Sequence, residues 1–458
     1  MFFFRRKRAE PTIVPREEHT ISRKHIDGDA LKVLYRLSEH HHEAYLVGGS
    51  VRDLLLGRTP KDFDVGTDAR PNEIRREFRN CFLVGRRFRL AHIVFGKKVI
   101  ETATFRKAPD AHAVPDEHGL YQAEDNTFGT PEEDARRRDF TVNGLFYDIK
   151  TFAIIDYVGG LKDLKAKVIR SIGDPAIRFR EDPVRMMRAV RFAAKLGFEI
   201  CPADEKAMRR YAPELANASV SRLCEEIQRL FVRGAAERSL RLAFTYGLLR
   251  VLLPELDGWL RASSAHEKAV WASLRALDEV AREQEVSAAV SLAALYWPLM
   301  AEVLAGGRSG AGGGNERSWR RQVAERAMHE IIRKYRLPRA VWMTAADMLE
   351  VAPRFEVAPR ESGMRDSRFV NHVLFPELFA GAQVLARMGA IAGGQLPVWE
   401  AFYRERGPLA RLPEGEELPT RANPHRRPVR RRARRRRGKG AEAAAPEAGG
   451  CKQVKGGA

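Results

Sequence analysis

Apolar positions along this 458-residue chain follow two regimes. Up to about residue 160 they come in short, β-branched runs; from Arg180 onward they recur at helical spacing. In the first regime, Ala30 to Glu39 carries apolar residues at 31, 34 and 35, which predicts an amphipathic helix packed on the segment after it. Pro71 to Phe78 predicts another, with proline near its start. Cys81–Val84, Ile93–Phe95 and Lys98–Phe105 predict strands. Tyr45–Val47 predicts a short strand running into Gly48-Gly49-Ser50 and a helical turn at Leu54–Leu56. The compact apolar stretch Phe140–Tyr147 predicts a helix, and Ile155–Leu164 a strand and a Gly-Gly turn into a further helix or turn. Residues 1–25 and 108–136 are polar with weak periodicity, predicting a poorly ordered leading segment and a mobile surface loop.

In the second regime, Arg180–Gly197 predicts a helix with Asp182 as N-cap, Pro183 in the first turn and Gly197 as its stop. Val220–Phe231 and Arg238–Leu252 predict further amphipathic helices, continuing to about Leu304. Gly306–Gly314 predicts a flexible loop between helices. Helical patterning resumes through Arg336 and runs to about Glu405. There is no internal repeat and no P-loop, so any phosphate chemistry is not of the Walker kind. A chain of this length predicts roughly two to four domains.

Charge changes this picture. The net charge is +20, with pI near 10.0, and it predicts a polyanionic partner. Between Arg421 and Gly440 stand 10 arginines, 1 lysine and no acid, a stretch that predicts a disordered basic tail. Cys81, Cys201, Cys224 and Cys451 are far apart, with no Cys-x-x-Cys pair. That excludes a zinc ribbon and a disulfide framework, and it predicts a reducing, cytoplasmic setting. Phe2-Phe3-Phe4 is too short for a signal-peptide core, and no run of about 18 apolar residues predicts a membrane span. His40-His41-His42 reads as solvated.

Candidate chemistry concentrates at Gly48–Asp64. Gly48 and Gly49 lack a Cβ, so the backbone can approach a phosphate and point N–H groups at it. In an extended segment Asp62 and Asp64 share a face while Phe63 points to the core. Two carboxylates on one face repel unless cations neutralise them, and Mg²⁺ takes oxygen ligands and accompanies phosphates. Glu101, in an otherwise apolar or Thr-rich strand, supplies a third acid. Downstream, Arg137 and Arg138 offer guanidinium forks for phosphate oxygens. Asp139 and Asn143, four apart, would share a helix face and could read a ribose or a base. Asp182, Arg185, Arg188 and Arg191 predict a charged ridge on one helix face.

The ordered set Gly48-Gly49-Ser50-Val51-Arg52-Asp53, Asp62-Phe63-Asp64, Arg137-Arg138-Asp139-Phe140-Thr141-Val142-Asn143, Asp156-Tyr157-Val158-Gly159-Gly160, Glu181-Asp182-Pro183-Val184-Arg185 and Ser221-Arg222-Leu223-x-Glu225-Glu226 resembles the class II nucleotidyltransferases, the bacterial poly(A) polymerases and CCA-adding enzymes. The resemblance covers roughly residues 25–235. It implies an α+β chain with a polymerase-β-like mixed-sheet nucleotidyltransferase head, an all-α neck and body, and the disordered basic C-terminal tail. The implied division is 1–25 flexible, 26–160 catalytic head, 161–240 neck with base recognition, 241–410 helical RNA-binding body, and 411–458 tail.

The same resemblance implies attack of an RNA 3′-hydroxyl on the α-phosphate of ATP, with pyrophosphate leaving. Asp62, Asp64 and Glu101 would be the catalytic acids holding two Mg²⁺ ions. Gly48, Gly49, Ser50 and Arg52 would bind the triphosphate. Arg138, Asp139 and Asn143 would contact sugar and phosphates. Asp182 and Arg185 would present hydrogen bonds to the base, with Arg188 beside them. Phe82 to Ile93, containing Gly85-Arg86-Arg87-Phe88, resembles a signature of the poly(A) polymerases rather than their CCA-adding relatives, as does Pro15–Ser22. Arg86 and Arg87, with the tail residues Arg430, Arg431, Arg432, Arg434, Arg435, Arg436 and Arg437, would bind RNA through its phosphates. Expected partners are RNA 3′ ends, ATP, and RNA-decay or RNA-chaperone proteins. The alternatives are a CCA- or A-adding tRNA nucleotidyltransferase, and an RNA-binding protein with a vestigial site.

Overall fold

The computed structural model describes residues 10–85, 89–107, 128–231, 234–306, 316–360 and 364–408. The expectations for Arg86, Arg87, the Gly306–Gly314 loop beyond Gly306 and the arginine tail lie outside them. The strands are β1 (Thr12–Val14), β2 (Ala44–Val47), β3 (Asp64–Thr67), β4 (Cys81–Val84), β5 (Leu90–Phe95), β6 (Lys98–Thr104), β7 (Leu145–Asp148) and β8 (Ile154–Asp156). They form one 8-stranded sheet in the order β1-β8-β7-β2-β3-β6-β5-β4. Among the described residues only the β3–β6 pairing in this sheet is parallel; a separate two-stranded pair, Val168–Ile169 with Glu199–Ile200, is also parallel.

Helices α1 (Gly28–Glu39), α2 (Gly49–Leu55), α3 (Pro71–Glu77) and α4 (Pro131–Arg137) surround the sheet. Then come α5 (Gly160–Ala166), α6 (Pro175–Glu181), α7 (Val184–Leu196), α8 (Pro202–Tyr211), α9 (Val220–Leu230) and α10 (Ala236–Thr245), followed by helices down to Leu396–Arg406. Ile21, Leu34, Val65, Met187 and Trp399 belong to one continuous buried core. The opposite sheet face carries a small cluster, Val47, Phe105 and Phe146, packed with Ala135 of α4.

Several expectations are corrected. Residues 12–14 are not part of a loose leader: they pair with Ile154–Asp156 at the sheet edge. Phe140–Tyr147 is not a helix but a 3₁₀ turn, Thr141–Asn143, followed by β7. Leu145, Phe146 and Tyr147 are buried and ladder with β2 on one side and β8 on the other. A strand covered on both faces reads as a continuous apolar run and loses its alternation.

Residues 131–136 belong to α4, which Thr130 and Glu133 start with a capping box. In α1 the buried face is Ala30, Val33, Leu34 and Leu37, while Tyr35 is exposed. Arg238–Leu252 breaks at Gly247, where φ is +76°. His42 is half-buried between Asp68 and Glu77. Among the described residues one helix, Ala288–Ala305, is long and apolar enough to cross a membrane. The polar positions Ser291 and Glu302 hid that run in the sequence; most of the helix is buried inside the fold.

Candidate active site

The ends of the central strands bring the chemistry together. Val47 pairs with Asp64 across β2 and β3 and with Phe146 across β2 and β7. Gly48, Asp64 and the Thr141–Asn143 turn therefore meet at one rim of the sheet. Gly48 has φ +70°, and a Cβ there would lie 2.8 Å from Arg138 Nη1. Its conformation favours glycine, and a side chain there would also have to displace the Arg138 guanidinium. Helix α2 starts at once, leaving its first N–H groups open toward the cleft.

Gly48, Gly49, Ser50, Arg52, Asp62, Asp64, Arg138, Asp139, Asn143, Asp182, Arg185 and Arg188 all line one cleft of about 830 Å³. Glu101 is not in its lining. It stands beside Asp64 on β6, since Val65 pairs with Thr102 in the parallel ladder, and its carboxylate lies 3.7 Å from His92 Nε2. Among the described residues no three acidic, histidine or cysteine side chains converge as a metal cluster.

Some side chains do other work than the resemblance implies. Ser50 is buried and donates to the Val47 carbonyl at 3.1 Å, so its hydroxyl braces the turn. Arg52 is buried against Asp53 at 2.7 Å and the Asn143 side-chain oxygen at 2.5 Å, acting as a strut between α2 and the turn. Asp182 and Arg185 are 4.0 Å apart, beyond hydrogen-bond reach. Asp182 instead accepts from Arg222 at 2.7 Å, and Arg185 donates to Glu181 at 3.1 Å.

The arginines are backed by buried acids, and to two of them, Asp134 and Glu226, the sequence reading gave no role. Asp134 accepts from Arg137 at 2.6 Å and from Arg138 at 2.8 Å. Burial alone would raise its pKa, but the two guanidiniums hold it below the usual range. Glu226 meets Arg191 at 2.8 Å, Arg229 at 3.3 Å and Arg188 at 3.6 Å. Asp139 accepts from Arg188 at 2.6 Å, the Asn143 amide at 3.0 Å and the Phe140 N–H at 2.8 Å. Burial pushes Asp139 up, and these donors outweigh it, bringing it down to about 2. A signal for these backing acids existed in the Asp134/Arg137/Arg138 spacing of three and four on a helix.

Asp156 is structural in the same sense. Its two oxygens accept the N–H groups of Val158, Gly159, Gly160 and Leu161 at 2.9–3.0 Å. A Cβ on Gly160 would come within 2.2 Å of the Thr141 carbonyl, so this glycine lets α5 support the Asn143 turn.

Asp62 and Asp64 differ from every other acid here. Neither makes an ion pair among the described residues. Asp64 is exposed to the cleft. Desolvation by the surrounding protein, with Glu101 and Asp62 adding repulsion against the pull of Arg138, raises its pKa to about 6. An unneutralised oxygen pair of this kind suits a hard divalent cation. The donor set fits such an ion, with Glu101 within reach of joining from the neighbouring strand.

Residues 44–170 match the poly(A) polymerase head domain model. Residues 197–260 match the model described as the probable RNA and SrmB-binding site of polymerase A. Poly(A) polymerase I of Escherichia coli O6:H1 is 47% identical over 303 residues, 64% of this chain and 65% of that protein's length. Poly(A) polymerase I of Haemophilus influenzae is 36% identical over 403 residues, covering 85% of this chain and 86% of that protein. The chain belongs to the bacterial poly(A) polymerase family of nucleotidyltransferases. Within solved structures, the Bacillus stearothermophilus CCA-adding enzyme in complex with CTP is 29% identical, with TM-score 0.55 over 82% of this chain and 81% of that one. Family membership and this neighbour agree with the α+β fold class, a mixed-sheet head followed by helices. The match to the Escherichia coli relative spans just under two thirds of that protein.

Proposed function

We propose that the chain is a template-independent polynucleotide adenylyltransferase, adding AMP from ATP to RNA 3′ ends and releasing pyrophosphate. The observation that carries this is the convergence, in one cleft, of the Gly48–Gly49 turn, the unpaired Asp62–Asp64 acids and the anchored arginines. Open N–H groups at the turn and the Arg138 fork suit a triphosphate. Asp139, Asn143 and Arg188 form a rigid edge for the sugar, and Asp182 with Arg185 lies where a base would meet α7. Asp62 and Asp64, with Glu101 recruited from β6, would hold divalent ions. When bound, such ions neutralise the acids and stabilise attacking and leaving oxygens together.

The relatives' names favour long A addition over CCA addition, and Gly85, at φ +95° after β4, opens the segment resembling the poly(A) signature. In this reading the arginine tail adds sequence-independent phosphate contacts that suit arbitrary RNA ends. A CCA- or A-adding tRNA enzyme is the second reading, favoured by the likeness to the CTP-bound structure. The deciding assay supplies ATP, CTP or both with a generic oligoribonucleotide and with tRNA lacking its 3′ end. Long A tracts on the generic RNA are expected. Arrest after C-C-A, or after a single A on tRNA alone, would refute the proposal.

A further inference from the structure

The sheet face that carries Asp64 changes character along one line. Phe146, Val47 and Asp64 stand side by side on β7, β2 and β3. Glu101 lies next to Asp64 on β6, since both precede a paired Val65 and Thr102. The register then pairs Glu101 with His92 and His92 with Phe82. At the β7–β2 end, α4 covers this face with Ala135. At the β4 end Phe82 is 62% exposed, with Val84 at 45% on the same strand, and Val99 on β6, two residues before Glu101, is 42% exposed. Alternation along the strands puts the core partners Cys81, Ala91, Ile93 and Ile100 on the other face. An aromatic ring, an imidazole and flanking aliphatics thus form an open platform that runs unbroken into the acid pair.

We infer that this platform is the track for the 3′-terminal nucleotides of the RNA, with Phe82 and His92 as the surfaces on which bases stack. The inference rests on the adenylyltransferase reading and adds to it the place of the second substrate. Three strand spacings, roughly 14 Å, separate the Phe82 and Asp64 columns, a distance spanned by the last few nucleotides. A strand laid along the row delivers its 3′-hydroxyl to Asp64 from the Glu101 side, while the triphosphate approaches from the Gly48 side. Stacking on sheet aromatics is tolerant of sequence, because every base has a π-face. An apolar sheet face leading to an acid pair would otherwise be a liability in water.

The test uses the full chain, Phe82→Ala and Phe82→Trp, with thermal unfolding to verify that all three fold. On a short generic oligoribonucleotide, Phe82→Ala is expected to raise the primer KM about tenfold and leave the ATP KM unchanged, with Phe82→Trp restoring the wild-type value. Separately, 4-thiouridine placed at the second or third nucleotide from the 3′ end is photocrosslinked without ATP, and the adduct is mapped by mass spectrometry. A crosslink in β4 or β5 supports the track even if the wild-type chain proves unable to add AMP, an outcome that would sink the adenylyltransferase reading alone. Equal primer KM in all three proteins, or no crosslink to β4 or β5, would mean that this face serves another partner and overturns the inference.

Discussion

The two kinds of charge in the cleft are held in opposite ways. On the α4, α7 and α9 side, the arginines are restrained: Arg138 by Asp134, Arg188 by Asp139, and Arg191 and Arg229 by Glu226. On the sheet rim, Asp62 and Asp64 have no ion pair among the described residues. The cations are fixed before any ligand arrives, so little side-chain entropy remains to be lost when a polyphosphate binds. The acids are left at an electrostatic cost that a divalent ion would relieve. A purely structural ion-pair network would neutralise both sides alike.

The largest effect should come from deleting the unneutralised side. Asp62→Ala or Asp64→Ala is expected to lower AMP incorporation by at least about a thousandfold, with RNA retention in a filter-binding assay close to wild type. Incorporation within tenfold of wild type would refute the assignment. Removing an anchor instead should damage the fold first. Asp134→Ala strands Arg137 and Arg138 around an emptied buried site and should cost about 3 kcal/mol in denaturant unfolding, with a raised ATP KM. Unchanged stability would show that the pairs are dispensable.

Smaller still is the linkage at Asp139. Its folded pKa of about 2 lies below the unfolded value, so its contribution is complete above about pH 4 and is lost as pH falls toward 2. Asp139→Asn should therefore remove about 2 kcal/mol at pH 7 and flatten the acid limb of the stability profile. Asp64 has the opposite sign. Its pKa of about 6 exceeds the unfolded value, so its stabilising effect is present below about pH 4 and declines as pH rises through 6. In chelator, Asp64→Asn should melt slightly higher than wild type at pH 8 and equal it at pH 4, and the difference should shrink when Mg²⁺ is added. An Asn variant less stable than wild type at pH 8 would contradict an uncompensated Asp64.

Much of the cleft was legible in the sequence because its residues sit in short motifs whose types already state their chemistry: two glycines, alternate aspartates, clustered arginines. What stayed hidden depends on pairing across long separations. Glu226 reaches Arg188 and Arg191 on another helix, and Arg222 reaches Asp182 across 40 residues; neither partnership has a local pattern. Arg52 and Ser50 were legible as members of a phosphate turn, but their burial, which makes them braces, comes from the turn packing under Asn143. The fold was misread where burial erased periodicity, as in β7, and where a three-residue strand paired with a segment distant in sequence, as β1 does with β8. Phe82 was visible as part of a strand and of the signature-like stretch, but with no role of its own until the register aligned it with Asp64.

Arg178 of α6 donates to the carbonyls of both Arg137 and Arg138 at 2.7 Å. It thereby closes off the C-terminal end of α4, whose last carbonyls would otherwise need other partners. Fraying of α4 at its C-terminal end and separation of α6 from it are consequently one event rather than two. Amides at the Arg138 rim of the cleft would exchange with solvent through an opening that also exposes α6. The arginine fork is then as durable as the joint between α4 and α6, and a loosened joint would be felt first as disorder on the arginine side of the cleft.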